Sequence, residues 1–137
     1  MKPYHWQVQV YYEDTDAGGV VYYANYLKFM ERARTEWLRA LGIEQDKLMQ
    51  DRNVLFAVRS VRIEYKRPIR FNDSLAVSVE PVAIKPASLS IRQTITGQHD
   101  EALLFADADV NVVCLAADSF SPQPIPKDLF KEIKSAC

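Results

Sequence analysis

One stretch of this chain has the spacing of a long helix, and it comes early. Between about Tyr22 and Leu41, the residues Leu27, Met30, Trp37, Leu38 and Leu41 fall on one stripe with the single polar interruption Arg34. Lys28, Arg32, Glu36 and Arg39 point in other directions, and Gly42 is a natural stop. The first half, Val20 to Met30, is apolar on nearly every side, which predicts a helix start wrapped by a sheet.

Most of the rest alternates with the period of a strand. Trp6, Val8 and Val10 alternate with Gln7 and Gln9, which predicts a strand over residues 6–12, followed by a loop over 13–19. Residues 54–67 alternate through Val61, Ile63 and Tyr65, and Pro68 with Asn72-Asp73 then marks a turn. Further strands are predicted over 75–84, 88–96 and 103–116, with Lys85-Pro86-Ala87 as a hairpin tip. Pro122, Pro124 and Pro126 mark an extended connector, and 127–134 a short closing helix. The order is strand, helix, then four strands in hairpin succession. One helix cannot cover both faces of such a sheet, so the sheet must curl around it and turn its other face to solvent or to a second copy. The expected architecture is α+β, a five-stranded antiparallel sheet in one domain spanning residues 1–137, with an exposed edge that favours oligomers.

Composition narrows the function. The chain has 137 residues and a net charge of -1, with basic and acidic residues interleaved, so the basic stripe of a nucleic-acid binder is missing. No apolar run has the length of a membrane span or a signal peptide, and the expected location is the cytoplasm. The two cysteines, Cys114 and Cys137, form no metal-binding or redox pair. There is no G-x-S-x-G elbow and no Lys-Ser/Thr after Gly18-Gly19 for a phosphate loop. His5 and His99 are isolated, and no metal-ligand spacing is present, so neither a metal nor a cofactor is expected.

The chemistry concentrates in residues 11–34, Tyr-Tyr-Glu-Asp-Thr-Asp-Ala-Gly-Gly-Val-Val-Tyr-Tyr-Ala-Asn-Tyr-Leu-Lys-Phe-Met-Glu-Arg-Ala-Arg. Acidic residues precede two glycines, which precede a greasy helix start. Gly18 and Gly19 allow backbone to approach a ligand closely. A helix beginning near Tyr22 offers unpaired N–H groups and a positive dipole end, able to hold the oxygen of a polarised carbonyl. A carboxylate a few residues upstream can attack that carbonyl or activate water. The same Asp-Thr-Asp is also what turn and capping chemistry requires, and Asp14, nearer the strand end, is the better structural member, with Glu13 a solvated charge.

This block resembles the signature of the YbgC branch of the 4-hydroxybenzoyl-CoA thioesterase family, and the resemblance extends more loosely through Val61 to Asp73 and the strands beyond. It implies a hotdog fold, with the sheet wrapped around one long helix and subunits assembled as dimers or tetramers. It implies hydrolysis of an acyl-coenzyme A thioester, the coenzyme being part of the substrate. The family's catalytic carboxylate falls on Asp16 and its carbonyl-polarising backbone N–H on Tyr23, with Gly19 and Val20 as further substrate contacts. Relatives often carry histidine where this chain has Tyr23, whereas the benzoyl-CoA enzymes are similar to this chain in carrying tyrosine; the backbone donor is common to both. The resemblance also makes Lys85 and Ser88 candidates for the nucleotide part of coenzyme A, across a subunit interface, and suggests acyl carrier protein as a partner. The alternative is a non-hydrolytic module that binds acyl-CoA or acyl carrier protein on the same scaffold.

Overall fold

The computed structural model describes residues 3–137. Its elements are β1 (Tyr4–Gln9), α1 (Tyr23–Ala40), α2 (Gln45–Arg52), β2 (Val54–Tyr65), β3 (Ser74–Lys85), β4 (Ser88–Gly97), β5 (Asp100–Ala116) and α3 (Lys127–Ser135). The five strands form one antiparallel sheet in the order β1-β3-β4-β5-β2, and α1 lies against its inner face. This is the hotdog arrangement.

The stripe on α1 explains its seat. Tyr26, Phe29, Met30, Ala33, Trp37 and Leu38 are buried, facing Val77, Val79, Ile91, Ile95 and Val110 of the sheet within one core cluster. The helix ends where Gly42 takes a φ of +82°. There the N–H of Gly42 donates to the Arg39 carbonyl (3.0 Å) and that of Ile43 to Leu38 (2.9 Å), the paired bonds of a Schellman cap. One polar side chain sits at the centre of the core. Gln93 is fully buried, donates to the carbonyls of Met30 (3.1 Å) and Ser78 (3.2 Å), and accepts from Arg34 (2.9 Å). It ties helix to sheet while leaving no amide atom unbonded.

Four expectations need correction. The first strand covers Tyr4–Gln9 rather than 6–12. Asp14 Oδ2 accepts from the Tyr11 N–H at 2.9 Å and curls the chain into a 3₁₀ turn over Tyr12–Asp14. Helix α2 has no counterpart in the sequence reading because only Leu48 of it is buried, so its spacing carries almost no signal. The four later strands do not all follow as hairpins. β2 pairs with β5 at the far edge of the sheet, and residues 66–73 carry the chain across the start of α1 to β3 on the other side. Ile69, in that strap, is fully buried. Finally, the start of α1 is only half wrapped: Tyr22, Tyr23 and Leu27 are 46%, 60% and 40% exposed.

Candidate active site

The loop before α1 is a three-residue hairpin turn. Asp16 N–H donates to the Val20 carbonyl (2.9 Å) and Gly19 N–H to the Asp16 carbonyl (3.0 Å), with Thr15 bridged to Val21. Gly19 has φ +80°, the left-handed residue that closes a turn of this kind. Gly18 is needed for a different reason: a Cβ there would stand 3.2 Å from Asp16 Oδ1. Its N–H donates to that oxygen at 2.8 Å.

So the turn-forming role of Asp16 is real and occupies one carboxylate oxygen. Among the described residues no hydrogen bond falls on the other, and the side chain is exposed. Asp14 has the structural role read from the sequence. Its carboxylate caps Tyr11, and its carbonyl accepts both the Tyr22 N–H (3.1 Å) and the side-chain amide of Asn25 (2.9 Å).

The helix end supplies donors. Tyr22 is the N-cap and makes no side-chain capping bond, and the first turn holds no acidic residue. The Asn25 N–H donates to the Tyr22 carbonyl at 2.8 Å. Among the described residues the N–H groups of Tyr23 and Ala24 donate to nothing, as expected of the first positions of an uncapped helix. They point out of the positive end of an 18-residue helix dipole. A carboxylate and two idle N–H donors are thus fixed to one another through the Asp14 carbonyl.

Aromatic residues surround this end. Tyr65, at the end of β2, meets Tyr23 and Tyr26 edge-on, at centroid separations of 6.2 and 4.9 Å, and its hydroxyl donates to the Tyr23 carbonyl at 3.3 Å. The buried Tyr26 hydroxyl accepts from the Ile69 N–H (3.2 Å) and donates to the Arg67 carbonyl (3.3 Å), holding the strap beneath the loop. The strap also touches the loop directly, through Val21 N–H to Ile69 (2.7 Å) and a bridge between Val20 and Arg70. Burial raises the Tyr26 and Tyr65 phenols. Tyr22 is raised chiefly by the neighbouring Tyr23 phenol, then slightly by desolvation and the charge of Asp16.

Asp16, Gly19, Val20 and Tyr23 are therefore neighbours in one turn-and-helix unit. Lys85 and Ser88 are not part of it. They pair with each other at the β3–β4 tip, whereas the loop lies by the other end of β3, roughly 35 Å away along the strand. Asn25, Tyr65 and Ile69 were not singled out in the sequence. Asn25 and Ile69 gave no pattern to find, and Tyr65 showed only as the last member of an alternating run.

The model of the thioesterase-like superfamily matches residues 10–133. The acyl-CoA thioester hydrolase YbgC of Escherichia coli O6:H1 is 44% identical over 131 residues, 96% of each chain. Among solved structures, a probable thioesterase from Bartonella henselae superposes with a TM-score of 0.84 at 28% identity, covering 91% of this chain and all of that one. A Staphylococcus aureus protein solved in complex with CoA reaches a TM-score of 0.90 over 98% of this chain and 84% of its own, at 12% identity, and so shares the fold. With the family model matching nearly end to end and a relative at 44% identity over almost the whole length, the chain belongs to the thioesterase-like superfamily, in its YbgC acyl-CoA thioester hydrolase branch.

Proposed function

We propose that this protein hydrolyses an acyl-CoA thioester through Asp16 and the N-terminus of α1. The observation that carries the reading is the pairing of a half-free carboxylate with the idle N–H groups of Tyr23 and Ala24, clamped together at the Asp14 carbonyl. The thioester carbonyl oxygen docks on the helix end, where negative charge developing in the tetrahedral intermediate meets the N–H donors. The Asp16 carboxylate then acts in one of two ways. It removes a proton from a water that attacks the carbonyl carbon, or it attacks that carbon itself, giving a mixed anhydride that water cleaves. In both, the C–S bond breaks, the thiolate leaves and takes up a proton, and the free acid departs.

The second copy of the chain belongs to the same reading. Asp16 is exposed, and so are Tyr22 and Tyr23 beside it, while β2 is an outer strand of the sheet. A second subunit seated there would close the site to bulk solvent, and only across such an interface would Lys85 and Ser88 reach the nucleotide of a bound substrate. Acyl carrier protein is a further partner on this reading, and the cytoplasm its setting.

The test is release of free thiol from acyl-CoA esters. Asp16→Asn keeps the turn-forming oxygen and should lose about 10³-fold or more in kcat with unchanged folding. Near-normal turnover in that variant would remove Asp16 from the mechanism. In a single turnover in labelled water, label in the Asp16 carboxylate identifies the anhydride route with water attacking the aspartyl carbonyl, since the general-base route places it only in the product acid.

A further inference from the structure

Tyr26 lies one turn into α1 and is only 3% exposed, so it cannot touch a bound ester. It is nevertheless joined to both halves of the site. Its hydroxyl accepts the Ile69 N–H at 3.2 Å and donates to the Arg67 carbonyl at 3.3 Å. The Ile69 carbonyl accepts the Val21 N–H at 2.7 Å, and Arg70 bridges Val20. The Val20 carbonyl in turn accepts the Asp16 N–H at 2.9 Å. A run of hydrogen bonds therefore leads from the phenol, through the strap, to the residue that carries the carboxylate.

The strap is what holds that loop. Among the described residues, every hydrogen bond and bridge that ties residues 16–21 to chain outside residues 11–22 goes to Ile69 or Arg70. The Tyr26 ring serves the other half of the site. It meets Tyr65 edge-on at 4.9 Å, and the Tyr65 hydroxyl donates to the Tyr23 carbonyl at 3.3 Å.

We propose that Tyr26 is a positioning residue for the hydrolysis, its hydroxyl setting the place of the Asp16 carboxylate relative to the Tyr23 and Ala24 N–H groups. The proposal rests on the reading of Asp16 and the helix end as the reacting centre. It adds a buried residue that acts on that centre only through the strap.

The two functions of the side chain can be separated. Tyr26→Phe keeps the ring, and with it the contact to Tyr65, but removes the hydroxyl. Among the described residues the Ile69 N–H has no other partner, and Ile69 is fully buried, so water cannot replace the hydroxyl unless the strap opens. The strap then shifts, and Val21 and the Asp16 turn shift with it. The helix end stays, because Phe29, Met30 and Ala33 fix α1 in the core. The donors for the carbonyl oxygen keep their place while the carboxylate loses its own. Such a change lowers kcat and spares KM. Burial raises the Tyr26 pKa, so the phenol stays protonated through the neutral range and acts as a hydrogen-bonding group rather than as an acid or base.

The experiment measures kcat and KM by thiol release, on whichever of butyryl-, octanoyl- and benzoyl-CoA the wild type turns over fastest. Tyr26→Phe should lower kcat by about 10-fold or more and leave KM within about 2-fold. Leu129→Ala is the structural control. It truncates a core residue of α3 remote from the strap, and should lower the melting temperature at least as much while leaving kcat within about 2-fold. In an Asp16→Asn background, Tyr26→Phe should cost less than about 2-fold, because the two residues act as one unit. If Tyr26→Phe does not fold, 3-fluorotyrosine in place of Tyr26 decides the matter. It keeps the shape and weakens the hydroxyl as an acceptor, and kcat should fall by about 2-fold at unchanged KM.

Unchanged kcat in folded Tyr26→Phe or in the fluorinated protein overturns the proposal. So does an equal fall of kcat in Leu129→Ala, or a full 10-fold loss repeated in the Asp16→Asn background. Near-normal turnover in Asp16→Asn removes the reading of Asp16 itself. A loss of about 10³-fold there, beside unchanged turnover in Tyr26→Phe, removes only the role of Tyr26.

Discussion

The side-chain amide of Asn25 donates to the backbone carbonyl of Asp14 at 2.9 Å, joining the first turn of α1 to the loop that carries Asp16. The same carbonyl accepts the Tyr22 N–H. Removing the amide leaves one bond where there were two. Asn25→Ala should cost about 1 kcal/mol of stability. If Asp16 acts as proposed, the variant should also lower kcat by about 10-fold or more, because displacing a reacting carboxylate by an ångström is costly. Chemical unfolding and thiol-release kinetics on the same preparation check both, and a stability loss with unchanged kcat would leave Asn25 a purely structural residue.

The two glycines of the loop should fail differently. At Gly19 the obstacle is the backbone, with φ at +80° and open space around a would-be Cβ. Gly19→Ala should destabilise by about 1 kcal/mol, and Gly19→Asn by less, since asparagine tolerates that conformation. At Gly18 the obstacle is Asp16 Oδ1, 3.2 Å from a would-be Cβ. Gly18→Ala should therefore leave stability nearly intact and depress kcat, as a comparison of melting temperature and turnover would show.

In the core, Gln93 gives the Arg34 guanidinium its one hydrogen-bond partner among the described residues, and burial lowers the Arg34 pKa. Gln93→Leu strands both the guanidinium and the Ser78 carbonyl. A loss of about 1–3 kcal/mol is expected, as for buried polar groups left without a hydrogen-bond partner. The double variant Arg34→Met/Gln93→Leu should recover a large part of it, and denaturant titration of the two single variants and the double completes the cycle.

The Arg52 guanidinium donates two bonds to the Asp128 carboxylate, both at 2.9 Å, and holds its pKa at about 2 against an ordinary 3.8. A carboxyl depressed in the folded state stabilises above its ordinary pKa and loses that contribution as pH falls through the folded value. The window is therefore about pH 4 down to about 2. Both side chains are exposed, 42% and 63%, so solvent screening keeps the effect small. Asp128→Asn should melt slightly earlier than wild type at neutral pH, and the difference should close across that window and in high salt.

The helix, its glycine stop, the β3–β4 tip and the short final helix could all be read from the order of residues, because each has a local cause: a stripe, a left-handed residue, a turn. The adjacency of Asp16 to the helix start was equally local, since only five residues lie between it and Tyr22. The position of β2 was not, because alternation fixes which face a strand buries and says nothing about its neighbour. Lys85 and Ser88 show the same limit. Their place in a hairpin was readable, but not that the tip stands at the opposite end of the sheet from Asp16. The exposure of Tyr23 and Leu27 was misread because an all-round apolar segment looks alike whether a sheet or a second subunit covers it.

Residues 66–73 look, on paper, like an ordinary polar link between two strands, the kind of place where a tag or an extra residue does no harm. In the folded molecule that link is a floor: Ile69 is hydrogen-bonded to Val21 above and to Tyr26 at its side. Lengthening it would pull Ile69 from the core and loosen the loop that carries Asp16, so stability and loop geometry would fall together. An added residue there would have to break at least one of the two hydrogen bonds that hold Ile69 in place.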